Sequence, residues 1–201
     1  MLARIAQITA NLATFPRIPL DPTGLRQAAV AIVLCPHEGV LSFLLTRRAM
    51  TLRRNAGNYA LPGGHVDPDE DVVAAAIRET SEELGVNLTR EMAIGHLDDF
   101  ATLGGHVVSP IVFWCAEPLA LAPNPDEVHL AWHAPLDDLD RPGSPRPEPH
   151  PDGGEPILRM FSGGDWLNPP TAAWLYQFRE IAFHGRVTRI DKVGQPNWTA
   201  Q

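Results

Sequence analysis

The chain has little cysteine, no long apolar run and no excess of positive charge, and each shortage removes a class of protein. Two cysteines in 201 residues, Cys35 and Cys115, cannot build a disulfide scaffold. Both stand in apolar runs and read as core thiols. No apolar run reaches the roughly 20 residues of a membrane-spanning helix. The first residues lack the charged, apolar and small-residue order of a signal peptide. The expectation is a cytoplasmic protein with no membrane partner. Sixteen basic against twenty-four acidic residues leave a net charge of −8, which argues against a nucleic-acid partner held through a basic face. An anionic small substrate is compatible, because local charge or metals reverse the field. Internal repeats are missing too. What is present, 44% hydrophobic and 20% charged residues, is the composition of a folded chain of a size for one domain.

Leu2, Ile5, Ile8 and Leu12 recur at helical spacing and predict a short amphipathic N-terminal helix. Pro16, Pro19 and Pro22 end regular structure after it. Residues 28–34 read as a buried strand, His37-Glu38-Gly39 as a turn, and residues 40–46 as the hairpin partner. Residues 92–97, 106–115 and 128–133 read as further strands, with a loop over 98–105. Residues 141–156, dense in proline, glycine and charge, read as a long or disordered loop. A C-terminal helix is expected over 170–182, with Ala173, Leu175, Phe178 and Ile181 on its packing face and Trp174 near the edge.

The densest chemistry lies between residues 47 and 86. Arg47, Arg48, Arg53 and Arg54 concentrate positive charge in an acidic chain and suit a phosphate clamp. Leu61-Pro62-Gly63-Gly64 follows, then a helix expected from about Asp71 to Leu84 and stopped by Gly85. Val73, Ala76, Ile77 and Thr80 are expected to face a sheet. Glu79, Glu82 and Glu83 stand at i, i+3 and i+4; at about 100° per residue they share one sector of the helix. Like charges at that spacing repel, and a hard divalent cation removes the penalty; Mg²⁺ or Mn²⁺ suits carboxylate oxygens beside phosphates. Glu70, two turns before Arg78, is placed to hold it.

Gly64, Glu70, Arg78-Glu79, Thr80, Ser81, Glu82-Glu83, Leu84, Gly85 and Val86 resemble the Nudix box in residue type and spacing. Thr80 stands where the family usually has an aliphatic residue. The resemblance extends over most of residues 28–139 as the core of a single domain spanning 1–201. It implies an α+β fold, an α/β/α sandwich around a central mixed sheet. It also implies hydrolysis of a nucleoside diphosphate linked to another moiety, with Mg²⁺ or Mn²⁺. By the same resemblance Glu79, Glu82 and Glu83, with the Gly63 carbonyl, would hold the metal. Arg78 would orient the glutamates, and a homodimer is implied. Glu127 would contribute from a later loop. The catalytic base is Glu82 or Glu127, and the sequence leaves both open.

A second pattern overlaps the first. Leu44-Leu45-Thr46, Arg48-Ala49, Arg53, Gly57 and Pro62-Gly63-Gly64 resemble the extended signature of the coenzyme A pyrophosphatase subgroup. Leu61 stands where that subgroup has phenylalanine, and its tryptophan–glycine–threonine segment before the last helix is replaced by Trp166-Leu167-Asn168-Pro169-Pro170-Thr171. Pro123 to Val128 fits the subgroup. This implies a small-molecule substrate, coenzyme A or a derivative, cut to 3′,5′-ADP and 4′-phosphopantetheine, with ADP-ribose or another nucleoside diphosphate conjugate as the alternative. Arg48 and Arg53 would touch its phosphates. A nucleotide sensor without activity is a further alternative. His96, His106, His129 and His133 are scattered and form no zinc-type cluster.

Overall fold

The computed structural model describes residues 1–52 and 55–200. In chain order these residues form α1 (Leu2–Thr14), β1 (Arg26–His37), β2 (Val40–Arg48), β3 (Tyr59–Ala60), β4 (Gly63–His65), α2 (Val72–Leu84), β5 (Ala93–His96), β6 (Phe100–Ala101), β7 (His106–Trp114), β8 (Val128–Pro135), β9 (Arg146–Glu148), β10 (Ile157–Ser162), β11 (Asp165–Leu167) and α3 (Thr171–His184). The expected α+β class is what forms: helices flank a central mixed sheet.

Among the described residues that sheet runs β3-β2-β1-β7-β5, with β4 on β1, β6 on β7 and β8 on β2. Its axis is the parallel pair β1–β7, in register from Arg26 opposite His106 to Leu34 opposite Trp114. The β1–β2 hairpin turns at Glu38 and Gly39, both at positive φ. β1 is apolar on both faces because both are covered, as expected for a strand at the centre of a sandwich. Val30, Ile32 and Leu34 join the core under α1 and α3. Ala29, Ala31, Val33 and Cys35 join the core under α2.

α1 buries Ile5, Ile8 and Leu12 as its spacing predicts, while Leu2 stays exposed. On α2 the buried positions are Ala75, Ala76, Thr80, Glu83 and Leu84. Val73 and Ile77, expected to face the sheet, lie half-buried at the flank of that contact. Alanines bring the helix axis close to the small side chains of β1, and the bulkier residues are displaced to the edge. Thr80 is fully buried, and its hydroxyl donates to the Ala76 carbonyl at 2.7 Å. The polar atom is therefore satisfied inside the helix and the methyl packs.

Four further expectations are corrected. Residues 98–105 are not only loop: β6 pairs with β7 there. The strand expected from residue 92 begins at Ala93, after a 3₁₀ turn over Arg90–Met92. The proline-rich stretch 141–156 is not a plain loop: β9 pairs antiparallel with β10, and β10 with β11. Pro147 is tolerated because β9 lies at the edge of this three-stranded sheet. Glu148 takes ion pairs from Arg146 (2.6 Å) and Arg159 (3.1 Å), and Arg146 also lies over the Trp166 ring. Trp174, expected near an edge, is 4% exposed and meets Phe100 edge-on. No helix among the described residues is long and apolar enough to cross a membrane.

Candidate functional site

On α2, Arg78 and Glu79 are half-buried and Glu82 exposed beside the alanine face, and Glu83 is buried on that face with Ala76 and Thr80. The helix start is fixed by Asp71, whose carboxylate accepts from the N–H groups of Val73 (3.1 Å) and Ala74 (2.9 Å). Gly85, left-handed at φ 67°, ends it. Arg78 is the hub between them. Its guanidinium donates to Glu70 (2.7 Å), Glu79 (2.9 Å), Glu82 (3.0 Å) and the His65 carbonyl (2.9 Å). One side chain thus ties the loop before the helix, the helix and the end of β4 together. Glu70 holds the Arg78 guanidinium charged more firmly than usual, and Arg78 in turn holds Glu70 below the ordinary carboxylate range.

Glu83 points inward. It is 5% exposed and accepts from the Gly63 N–H at 3.2 Å. Burial pushes its carboxyl up to about 8; the Gly63 N–H and the charge of Arg48 oppose this, and Glu79 and Glu127 add to it. Burial also raises Glu79, against the pull of Arg78 and with the push of Glu82 and Glu127. Glu127 reaches this group because its loop is tied to the end of α2. Ala122 N–H donates to the Leu84 carbonyl (2.8 Å) and Asn124 N–H to the Glu83 carbonyl (2.9 Å), so the loop satisfies acceptors the helix leaves open. The Glu127 carbonyl in turn accepts from Ala49 beside β2 (2.8 Å).

The two glycines before α2 are required for different reasons. Gly63 has a φ of 153°, and a Cβ there would overlap the Ala29 carbonyl and the Val30 backbone. A Cβ on Gly64 would overlap the Glu79 carboxylate. The acid group therefore stands directly against the chain at Gly64.

Gly63 and Gly64 also line a cavity of about 590 Å³ on the α3 side of the sheet. Arg47, Arg48, Tyr59 and Asp165 line it, and Tyr59 donates to Asp165 at 3.1 Å. Trp166, Trp174 and Trp198 contribute to it, as do Arg26, His65, His106 and Gln195. Of the residues expected from sequence, Arg78, Glu79, Glu82, Glu83, Glu127, Gly63 and Arg48 are brought together. Arg53 lies outside the described residues. Sequence reasoning missed Tyr59, Asp165, Arg26, His65, Gln195 and Trp198. For Arg26 a signal existed: it is a charged residue heading a strand that is apolar from Ala28 to Cys35.

Among the described residues, no three His, Cys, Asp or Glu side chains are arranged to enclose an ion. Glu79 and Glu82 instead share Arg78. The donor chemistry nevertheless fits a hard divalent cation. It is all carboxylate oxygen, and in Glu83 it includes a charge that burial disfavours and that a cation would stabilise.

A family model described as the NUDIX domain matches residues 25–160. The Nudix hydrolase NudL of Photorhabdus laumondii is 40% identical over 113 residues, 55% of this chain and 59% of that protein. Nudix hydrolase 3 of Caenorhabditis elegans is 35% identical over 128 residues, 62% of this chain and 53% of that protein. The chain thus spans less than two thirds of the length of either relative. Among solved structures, the Nudix hydrolase RenU from M. smegmatis shares the fold with a TM-score of 0.52 at 24% identity, covering 83% of this chain and 91% of that one.

Proposed function

This chain belongs to the Nudix family, and on that premise we propose that it hydrolyses the diphosphate of a nucleoside diphosphate linked to a second moiety. The observation that carries this reading is the junction at Gly63-Gly64, where the wall of a substrate-sized cavity meets the Glu79 carboxylate. In the reaction, water attacks one phosphorus, the bridging P–O bond breaks, and two phosphomonoesters leave. The bond is shielded by anionic oxygens. Bound Mg²⁺ or Mn²⁺ would neutralise those oxygens and acidify water.

Each residue of the group then has a task. Glu79, Glu82 and Glu83, with the Gly63 carbonyl, would hold the cation. Arg78 aligns Glu79 and Glu82 on one side and Glu70 on the other. Arg48, close enough to Glu83 to act on its charge, serves the diphosphate being cut. The proton of the attacking water goes to Glu82 or Glu127, both within the charge field of Glu79.

Within this class we favour coenzyme A or its derivatives, cut to 3′,5′-ADP and 4′-phosphopantetheine. The support is the stretch from Leu44 to Gly64, of which Arg48, Gly57, Leu61, Gly63 and Gly64 line the cavity. ADP-ribose is the second reading, because the carboxylate group recognises the diphosphate and not what lies beyond it. The test is a product-resolved competition among coenzyme A, ADP-ribose, NADH and diadenosine polyphosphates at equal concentration, with Mg²⁺ and with Mn²⁺. Two phosphomonoesters should appear, fastest from coenzyme A. A higher kcat/KM for ADP-ribose rejects coenzyme A and keeps the reaction. No turnover of any of them rejects the reaction.

A further inference from the structure

A second polar group lines the cavity, built by three strands none of which carries the glutamates. Arg26 at the head of β1 lies opposite His106 at the head of β7. His65, the last residue of β4, lies opposite Ala28 on β1. Side chains alternate along a strand and partners across a ladder share a face. Arg26, His65 and His106 therefore project to the same side as Ala28 and Val30, away from α2. The two imidazoles meet with Nε2 atoms 3.0 Å apart. Thr102 and Gln195 close around them. The Thr102 hydroxyl accepts from the His106 N–H (3.2 Å), while the Gln195 side chain accepts from the Leu103 N–H (3.1 Å) and donates to the Ala101 carbonyl (3.0 Å). The C-terminal segment is thereby fastened over this end of the cavity.

The charge here is unlike the rest of the molecule. In a chain of net charge −8, Arg26 has no carboxylate within ion-pair distance among the described residues. Among the described residues Asp165 is the one carboxylate lining the cavity, and it is bonded to Tyr59 on β3. Ala29 is the register partner of Gly64, the residue under the Glu79 carboxylate. Arg26 lies three residues before Ala29, a rise of about 10 Å along β1. Two phosphates on one nucleoside are closer together than that rise, and the length of an arginine side chain is enough to make up the difference.

We propose that Arg26, His65 and His106 form an anion subsite that takes a phosphomonoester carried by the substrate in addition to the diphosphate that is cut. The subsite rests on the diphosphate hydrolysis proposed above, which sets where the diphosphate lies. It assigns the remote phosphate to Arg26 and the two imidazoles and leaves Arg48 to the scissile group. Guanidinium and imidazole N–H groups are the donors that hold phosphate oxygens best. The substrate class it selects is a nucleoside diphosphate conjugate with a phosphorylated ribose.

Two pairs of substrates differ only in that phosphate: coenzyme A against its 3′-dephospho form, and NADPH against NADH. The intact protein should show a kcat/KM at least about tenfold higher for the phosphorylated member of one pair, the size of one charge-assisted hydrogen bond. Arg26→Gln and His106→Gln should lose at least about tenfold more on that member than on its partner. Equal rates within both pairs, or equal losses within both, overturn the proposal. Calorimetric binding of 3′,5′-ADP against 5′-AMP gives a readout independent of turnover. Tighter binding of 3′,5′-ADP that Arg26→Gln abolishes supports the subsite even if no diphosphate is cut. Equal binding of the two nucleotides overturns it even if diphosphates are cut. Arg26 is exposed, so its variant should melt with the parent; His106→Gln, at a half-buried position, is checked by the same melting curve.

Discussion

The two faces of the central sheet are built differently. Under α2, β1 presents the small side chains Ala29, Ala31 and Cys35 in a core shared with Ala75 and Ala76 of the helix, and Leu44, Ile111 and Phe113 of the neighbouring strands fill the rest. Under α1 and α3 the contact is made of large ones, Ile32, Leu34 and Phe43 against Trp174, Leu175 and Phe178. The 590 Å³ cavity beside Gly63 and Gly64 lies on this side. The close face fixes the three carboxylates of α2 and Arg78 to a rigid support. The other face makes room for what they act on. A helix seated on alanines has little freedom to shift, so the precision of the charges and the space for a ligand come from opposite sides of one strand, β1.

The largest effect should come from the charge that the close face buries. Glu83→Gln keeps an acceptor for the Gly63 N–H and removes the ionisable group. We expect kcat/KM on the preferred diphosphate to fall by at least about 100-fold, the upper end of what losing a supporting group costs a metal site. Because burial disfavours that carboxylate, the variant should melt no lower than the parent when no metal is added. A lower melting temperature with normal turnover would make Glu83 structural.

Gly64→Ala probes the junction of the two faces. The atoms nearest the added methyl are those at the end of the flexible Glu79 side chain, so folding should survive while Glu79 is turned aside. Activity should drop by about 10- to 100-fold with a near-parental melting curve. Unchanged activity would show that the Glu79 position seen here is not the working one.

Filling each face in turn sharpens the comparison itself. Ala76→Leu overpacks the close face and should cost about 1–3 kcal/mol in denaturant unfolding. Ala28→Val adds volume on the cavity side, where space exists, and should cost less than about 1 kcal/mol while raising KM. Equal losses of stability would mean that the two faces are packed alike.

The smallest effect concerns the helix start. Asp71→Ala should cost about 1 kcal/mol at neutral pH. The Ala74 N–H, then Arg90, hold the Asp71 carboxyl below its ordinary value. Its folded pKa is thus lower than its unfolded value, near 4. Its contribution is present above that value and fades as pH falls through the folded one. The gap between parent and variant in urea midpoints should therefore close below about pH 4. A gap that persists in acid would assign the effect to something other than the charged cap.

The carboxylate helix was legible because its chemistry is local. Glu79, Glu82 and Glu83 share a sector by helical period alone, and Asp71 and Gly85 mark the ends in the sequence itself. Even there the packing face was read only in part: Ala76 and Thr80 are buried as expected, Ala75 joins them, and Val73 and Ile77 lie half-buried at the flank. Strands β1, β2 and β7 were legible as apolar runs. β9 was hidden by Pro147 and its charged neighbours, whose pairing depends on a strand that follows later. The cavity was least legible. Arg26, Tyr59, His65, His106, Asp165 and Gln195 come from separate segments, and register across a sheet is written nowhere in one segment.

Five tryptophans occur in the chain, and three of them, Trp166, Trp174 and Trp198, line that cavity. The indole emission of this protein is therefore weighted toward the place where a ligand would sit. Entry of a nucleotide should change its intensity or wavelength without any attached dye. Arrival at the cavity and breakage of the diphosphate can then be timed separately in one rapid-mixing trace, by light and by product.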